Sequence, residues 1–256
     1  MRVLTALRLA FASSLALVLA PALAAAAKPG TVIDYGEYKV YQGGRALGTE
    51  TFEIQSDGDS VSITSHVVQT LPGPNGNLLI DKQAWLVLGK LDSDLHFYQS
   101  TLKVGGRDLT RGLVMHDTAF TAYRESSVRG SGEGVRYSRP PGRFYVLDGQ
   151  VFVLFDVMCR DFANTKFTSR PVSVLMLRDD EDQVTQITVT DMGADSIRWA
   201  ARPMMARKLR FADAYSRFHA WIGPRGFMVR LEQEGSGLRV EREPPAVKRQ
   251  DRPTPR

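Results

Sequence analysis

Apolar positions along this chain recur mostly with a period of two, and glycine-rich turns break the runs. From Ile33 to Ile54 (IDYGEYKVYQGGRALGTETFEI), two stretches rich in Tyr, Val, Thr, Phe and Ile flank Gly43-Gly44. Glycine takes positive φ without steric cost, so the pair predicts a tight hairpin. A two-residue turn would set Val40 opposite Leu47 and Tyr38 opposite Thr49. The apolar face then changes sides, because Tyr35, Phe52 and Ile54 fall on the other face, and one flat pair cannot do that. Gly36 and Gly48 stand at the change, which predicts a bulge or sharp twist there. A strongly coiled opening hairpin suits a barrel or curved half-barrel.

The same grammar continues downstream. Ser56-Asp57-Gly58-Asp59 reads as a turn, and Val61, Ile63, Ser65 and Val67 alternate with Ser62, Thr64, His66 and Val68 as a half-buried strand. Leu71 to Asn77 (LPGPNGN) reads as a loop. Strands follow over about 78–88 and 95–104, then a Gly105-Gly106 hairpin into 107–116, then 118–128. Gly130 to Gly134 reads as a flexible turn, and Pro140-Pro141 restricts the next run to a sheet edge or a loop crossing. Later strands are expected at about 172–177, 184–190, 196–202, 208–212, 217–222 and 227–232. Asp179 to Asp182 and Gly223-Pro224-Arg225-Gly226 are turns between them.

One segment departs from this period. Between Gln150 and Phe162, apolar residues fall at Val151, Leu154, Phe155, Met158, Cys159 and Phe162, the spacing of one helical face. Asp148 could cap such a helix and Asn164 could end it. A buried strand over Val151 to Val157 is the rival reading. If helical, the apolar face belongs on the concave side of the sheet as a plug or lid. The fold class is therefore all-β and mainly antiparallel: a large curved sheet, open half-barrel or barrel, with one helix packed on it.

Residues 1–27 read as a signal peptide. Arg2 and Arg8 precede an apolar run from Leu9 to Leu19, and Ala22-Leu23-Ala24 opens a series of small-residue cleavage sites between about Ala24 and Ala27. That run is shorter than the ~20 residues of a stable span. The expected organisation is a leader at 1–27, one β-rich domain at 28–238 and a disordered basic, proline-rich tail at 239–256. The expected location is periplasmic or secreted, with no transmembrane segment after cleavage. Formal charge is +5 over the whole chain. Two of those charges belong to the leader, and the tail from Arg239 carries six basic and three acidic residues. The body between them is close to neutral, which argues against nucleic acid as a partner. Cys159 is the single cysteine, so no internal disulfide can form.

Catalytic motifs are missing: there is no G-x-S-x-G, H-E-x-x-H, C-x-x-C, P-loop or dinucleotide fingerprint. His66, His96, His116 and His219 are scattered over predicted strands. His116-Asp117 is the best acid–base pair, but neighbouring strand residues point to opposite faces. Cys159 reads as core, and no catalytic residue, metal site or cofactor is assigned. One charge feature is uneven. Arg198, Ala200 and Arg202 would share one strand face, and Arg217, His219 and Trp221 another, forming a basic strip for phosphates or anionic headgroups. A solvated outer face balanced by nearby aspartates is the plainer reading. The candidate ligand-binding set is Phe155, Met158, Arg198, Arg202, Arg217, His219 and Trp221.

Tyr38, Val40, Gly43, Gly44, Leu47 and Gly48 at the start, with Phe218, Trp221, Gly226 and Val229 near the end, resemble secreted proteobacterial envelope proteins grouped as domains of unknown function. The last turn, Gly223 to Gly226, lacks an acidic residue expected of that group. The resemblance implies a β-rich envelope protein and supplies no catalytic residues. A half-barrel with an apolar concavity and a helix is also similar in architecture to periplasmic lipoprotein carriers, by fold analogy alone. The leading expectation is a non-enzymatic binder of an apolar or amphiphilic ligand such as a lipid. An envelope protein–protein interaction or structural module is the alternative, and a hydrolase whose histidines converge is the third reading.

Overall fold

A computed structural model of the chain describes residues 30–245, except 74–75, 91–93, 105, 128–131 and 179–181. The expected leader and the part of the tail beyond residue 245 lie outside the described residues.

The opening hairpin joins β1 (Thr31–Gln42) to β2 (Arg45–Asp57). Gly43 and Gly44 turn at φ 56° and 84°. The register then shifts, and the bulge falls at Leu47–Gly48. Val40 therefore faces Gly48 and Tyr38 faces Glu50, one residue from the pairing that a regular ladder would give. Gly48 is needed there because a Cβ would lie 2.0 Å from the Val68 carbonyl oxygen. The bulge moves Tyr38, Val40, Phe52 and Ile54 into one core, which resolves the change of face.

The sheet grows outward by hairpins on both sides of this pair. On one side stand β3 (Ser60–Gly73), β4 (Gly76–Gly89), β5 (Leu95–Val104), β6 (Arg107–Met115), β7 (Ala119–Ser126) and β8 (Gly132–Ser138). The expected loop at 71–77 is instead the tip of a long hairpin, with Leu71 paired to Leu78 and Pro72 to Asn77. Pro72 lies at the end of the ladder, where a missing N–H costs little. Gly132 to Gly134, expected as turn, belong to the edge strand β8.

After β9 (Phe144–Asp148) comes the helix α1 (Val153–Ala163), then β10 (Ser169–Leu177), which pairs with β9 in parallel. The helix is what makes a parallel pair possible, since parallel neighbours need a long crossover. It excludes the rival strand at 151–157. Asn164 ends α1 as expected, but Asp148 does not cap it, because the chain turns at Gly149–Gln150 and the cap position is Phe152.

Next come β11 (Gln183–Trp199), β12 (Arg202–Ala212), β13 (Arg217–Ile222), β14 (Met228–Gln233) and β15 (Leu238–Arg242). β11 absorbs two expected strands across a bulge near Met192–Gly193. The turn that follows falls at Ala200 and Ala201, with φ 52° and 61°, so Arg198 and Arg202 stand on different strands. β15 pairs with both β14 and β1 and begins before Arg239, where the tail was expected to start. Its inward residues Leu238, Val240 and Arg242 are too few for a legible period.

Fifteen strands form one open, curved, mostly antiparallel sheet, with β8 and β9 at its two edges. Held flat at about 4.8 Å per strand, those edges would stand roughly 67 Å apart. Only residues 139–143 separate Ser138 from Phe144, a reach of at most ~20 Å. The sheet must roll up. Side chains then join its ends: Phe120 of β7 lies against Phe144 of β9, with ring centroids 5.1 Å apart. Arg124 of β7 reaches the Arg178 carbonyl and Asp182 beyond β10. All five residues of β9 are buried, whereas β8 is largely exposed. Within the roll, α1 buries Val153 to Cys159 and Phe162.

Candidate functional site

Charged residues at inward positions organise the interior. Lys82 falls between Ile80 and Ala84 on the core face of β4 and is 1% exposed. Its Nζ donates to Asp148 Oδ1 at 2.6 Å and to the Gly149 carbonyl at 2.8 Å. Asp148 also accepts from the Tyr98 hydroxyl at 2.8 Å and the Ser100 hydroxyl at 2.6 Å, and Arg111 stands 4.0 Å away. Burial, and then the Asp148 charge, push the Tyr98 phenol well above its usual range.

A second buried carboxylate caps the helix. Glu50 of β2 accepts from Phe152 N at 2.8 Å, Val153 N at 3.2 Å and Ser65 Oγ at 2.6 Å. These amides are among the four that a helix start leaves without intrahelical partners. Burial pushes the Glu50 carboxyl up to about 7, against the opposing pull of the Ser65 hydroxyl and the two amides. At the far side of the helix, Asp156 accepts from Met228 N and from Arg160, which also pairs with Asp34; Arg242 closes the group on Asp34.

Above the Lys82–Asp148 pair the roll is open. A cavity of about 1050 Å³ lies among hairpin tips at one end. Leu47, Leu71, Leu78, Leu102, Leu109 and Leu238 supply its apolar wall, and Phe152 and Phe155 at the start of α1 form its floor. Arg111, Arg124 and Arg178 also line it, together with Glu125 and Glu133. Leu78 and Leu109, 40% and 37% exposed, are exposed because they face this open space.

The seven candidate residues do not form one site. Phe155 lines the cavity and packs on Phe218 and Phe211 at 4.9 and 5.8 Å between centroids. Met158, on the same helix, is fully buried in the core. The others belong to the outer surface. Arg198 and Arg202 are exposed on β11 and β12. Arg217 and His219 face Glu234 at 3.7 and 3.8 Å. Trp221 is 5% exposed, donates to Asp195 at 2.9 Å and carries Lys208 over its ring. Arg230 pairs with Glu241 at 2.8 Å beside it. Burial, helped by Lys208, lowers the His219 pKa.

The histidines stay apart in their contacts. His66 meets Asp81 at 2.9 Å on an exposed face, and His116 meets Thr121 at 3.3 Å. Cys159 is fully buried, and burial pushes its thiol well up, which makes it a core residue rather than a nucleophile. Among the described residues no group of three or more His, Cys, Asp or Glu is placed to hold a metal ion, and no helix is long and apolar enough to cross a membrane.

Sequence reasoning missed Glu50, Lys82, Arg111 and the leucines of the cavity. A lysine in the apolar register Ile80-x-Lys82-x-Ala84-x-Leu86 was the available signal.

No family model matches the chain, and no curated protein does. Among solved structures, it is similar to the crystal structure of a β-barrel-like protein of a domain of unknown function, DUF1849, from Brucella abortus. The TM-score is 0.57 at 9% sequence identity, covering 84% of this chain and 97% of that one. At that identity the likeness is one of fold: a β-barrel-like architecture whose neighbour is itself a domain of unknown function.

Proposed function

We propose that this protein is a non-enzymatic carrier of the cell envelope that holds an apolar or amphiphilic ligand, such as a lipid acyl chain, at the open end of the rolled sheet. The cavity of about 1050 Å³ carries the reading. Its size is near the upper end of the range usual for small-molecule sites, ~300–1,000 Å³, and such sites are mostly apolar with few fixed polar groups. Leucines from several hairpins give no directional bonding, so they suit a chain of methylenes rather than a polar metabolite. Arg111 and Arg124, both anchored on the Arg178 carbonyl, place guanidinium groups in the same wall, where an anionic headgroup would lie. The leader expected at 1–27 from its sequence favours a periplasmic or secreted location.

Native mass spectrometry of the gently extracted protein should show co-purifying lipid. Titration with 1-N-phenylnaphthylamine should show saturable binding that Leu102→Arg abolishes, because the new charge points into the cavity. A clean apo mass together with no probe binding would overturn the proposal.

A further inference from the structure

The outer face of the sheet carries a second and chemically different site. Opposite the core face of β2 to β5, a groove of about 1090 Å³ is bounded by the start of β1 and residues 243–245. Strand register sets its floor as two parallel rungs. Thr51, His66, Gln83 and Thr101 stand side by side in one, and Glu53, Thr64, Trp85 and Gln99 in the next. Rungs two residues apart along a strand are separated by roughly 7 Å. Tyr35 of β1, 72% exposed, pairs with Glu53 and so extends the second rung at its end, with Val32 and Ile33 beside it.

We infer that this groove binds a neutral glycan strand. A sugar ring shows hydroxyls around its rim and C–H groups on its faces, so its receptor needs two things at once. One is a set of side chains that both donate and accept hydrogen bonds, which Thr and Gln do. The other is an exposed flat apolar plate, which indole and phenol rings supply together with a polar edge. Both are present here and are held in place. The Trp85 Nε1 donates to Ser62 Oγ at 2.8 Å, and its ring meets Phe97 edge-on at 5.0 Å. Gln99 Oε1 accepts from the Tyr123 hydroxyl at 3.0 Å, and His66 is fixed by Asp81. Side chains already held in this way lose less freedom on binding.

Charge selects the ligand class. Asp34, Glu37, Glu53 and Glu243 line the groove, and Glu243 pairs with Lys39 at 3.0 Å. Of its two cations, Arg242 is committed to Asp34 and Arg225 lies over the Phe227 ring at 4.8 Å. A phosphate or uronate would be repelled by Glu37 and Glu53, whereas a neutral sugar can donate its hydroxyls to them.

The test is calorimetric titration of the full chain with a β-1,4-linked N-acetylglucosamine hexamer. Saturable binding is expected, weakened about tenfold or more by Trp85→Ala and by the pair Gln83→Ala/Gln99→Ala. Trp85→Phe should retain most of it, and phenylnaphthylamine affinity in the inner cavity should be unchanged in every variant. Gln83 is exposed, but Gln99 is half-buried and holds the Tyr123 hydroxyl, so an unchanged urea midpoint of the pair variant shows that its loss is one of binding. The inference is overturned by the absence of saturable binding, or by binding that the Trp85 and glutamine variants leave intact. It is overturned equally by a polyuronate that binds more tightly than the neutral hexamer.

Discussion

Lys82 and Asp148 form an ion pair at 2.6 Å between strands that share no backbone hydrogen bonds, β4 in the middle of the sheet and β9 at its edge. An edge strand normally exposes its unpaired backbone or is covered. Here β9 is covered by the inner face of the same sheet, and the pair helps pin it there. Both groups have lost their water, so each depends on the other and on the hydroxyls of Tyr98 and Ser100.

Lys82→Met should therefore cost about 3–5 kcal/mol, because it leaves the Asp148 carboxylate buried without its cation. Urea unfolding of the single and double variants checks this. The double variant Lys82→Met/Asp148→Leu should recover part of the loss. A single-variant loss below about 1 kcal/mol would mean that the pair does not hold the roll closed.

Phe155 and Met158 lie three residues apart on α1 but do different work. Phe155→Ala removes ring contacts with Phe211 and Phe218 and also opens the cavity floor. It should lower stability by about 3–5 kcal/mol and weaken phenylnaphthylamine binding. Met158→Ala should cost about 2–5 kcal/mol and leave probe affinity alone, since Met158 is core and not wall. Paired measurements of urea midpoint and probe affinity separate the two. Equal effects on affinity would mean that the probe binds elsewhere.

How much of this was legible in the sequence depends on how local the cause is. Gly43-Gly44 and the α1 spacing act within a few residues, so the first turn and the helix could be read directly. Val40 facing Gly48 could not, because the bulge is set by the close approach of Val68 on the next strand. β15 was hidden by its charges. Arg242 occupies an inward position yet is buried, because Asp34 and the Phe227 ring receive it from elsewhere in the chain. For the site, Phe155 was found from helical spacing alone. Arg198 and Arg202 were chosen on an assumed strand through Ala200, which is in fact a turn, whereas the strand assumed for Arg217, His219 and Trp221 is β13. Glu50 and Lys82 break the hydrophobic alternation of their strands, and their partners lie 102 and 66 residues away.

Two glycines of the first hairpin should respond differently to alanine. At Gly43 a Cβ meets open space, and only the φ of 56° opposes it, so Gly43→Ala should cost about 1–2 kcal/mol. At Gly48 the Cβ would lie 2.0 Å from Val68 O and 2.7 Å from Gln69 Cα, both backbone. The β2–β3 ladder must move, and a loss of about 3 kcal/mol or more is expected. Chemical denaturation of both variants measures the gap, and equal losses would place the bulge elsewhere.

The Glu50 carboxyl makes folding stability depend on pH in an unusual sense. Folded, it keeps its proton up to about 7; its ordinary value is 4.5. Between those values the native state binds more protons than the unfolded state, so stability falls as pH rises through the window. The contribution is fully present below the ordinary value and is lost above about pH 7, a change of about 3 kcal/mol. Two of its neighbours shift away from this window. Burial raises the Asp34 carboxyl, but Arg242 and Arg160 outweigh it and hold it low. Tyr38 is pushed up by burial and by Asp156. Glu50→Gln keeps an oxygen for the Phe152 and Val153 amides but cannot titrate. Urea midpoints of both proteins from about pH 5 to 8 should show the parent falling relative to the variant as pH rises, the two being closest at the acid end. Parallel slopes would mean that Glu50 is already ionised throughout, with the amides of α1 and the Ser65 hydroxyl outweighing its burial.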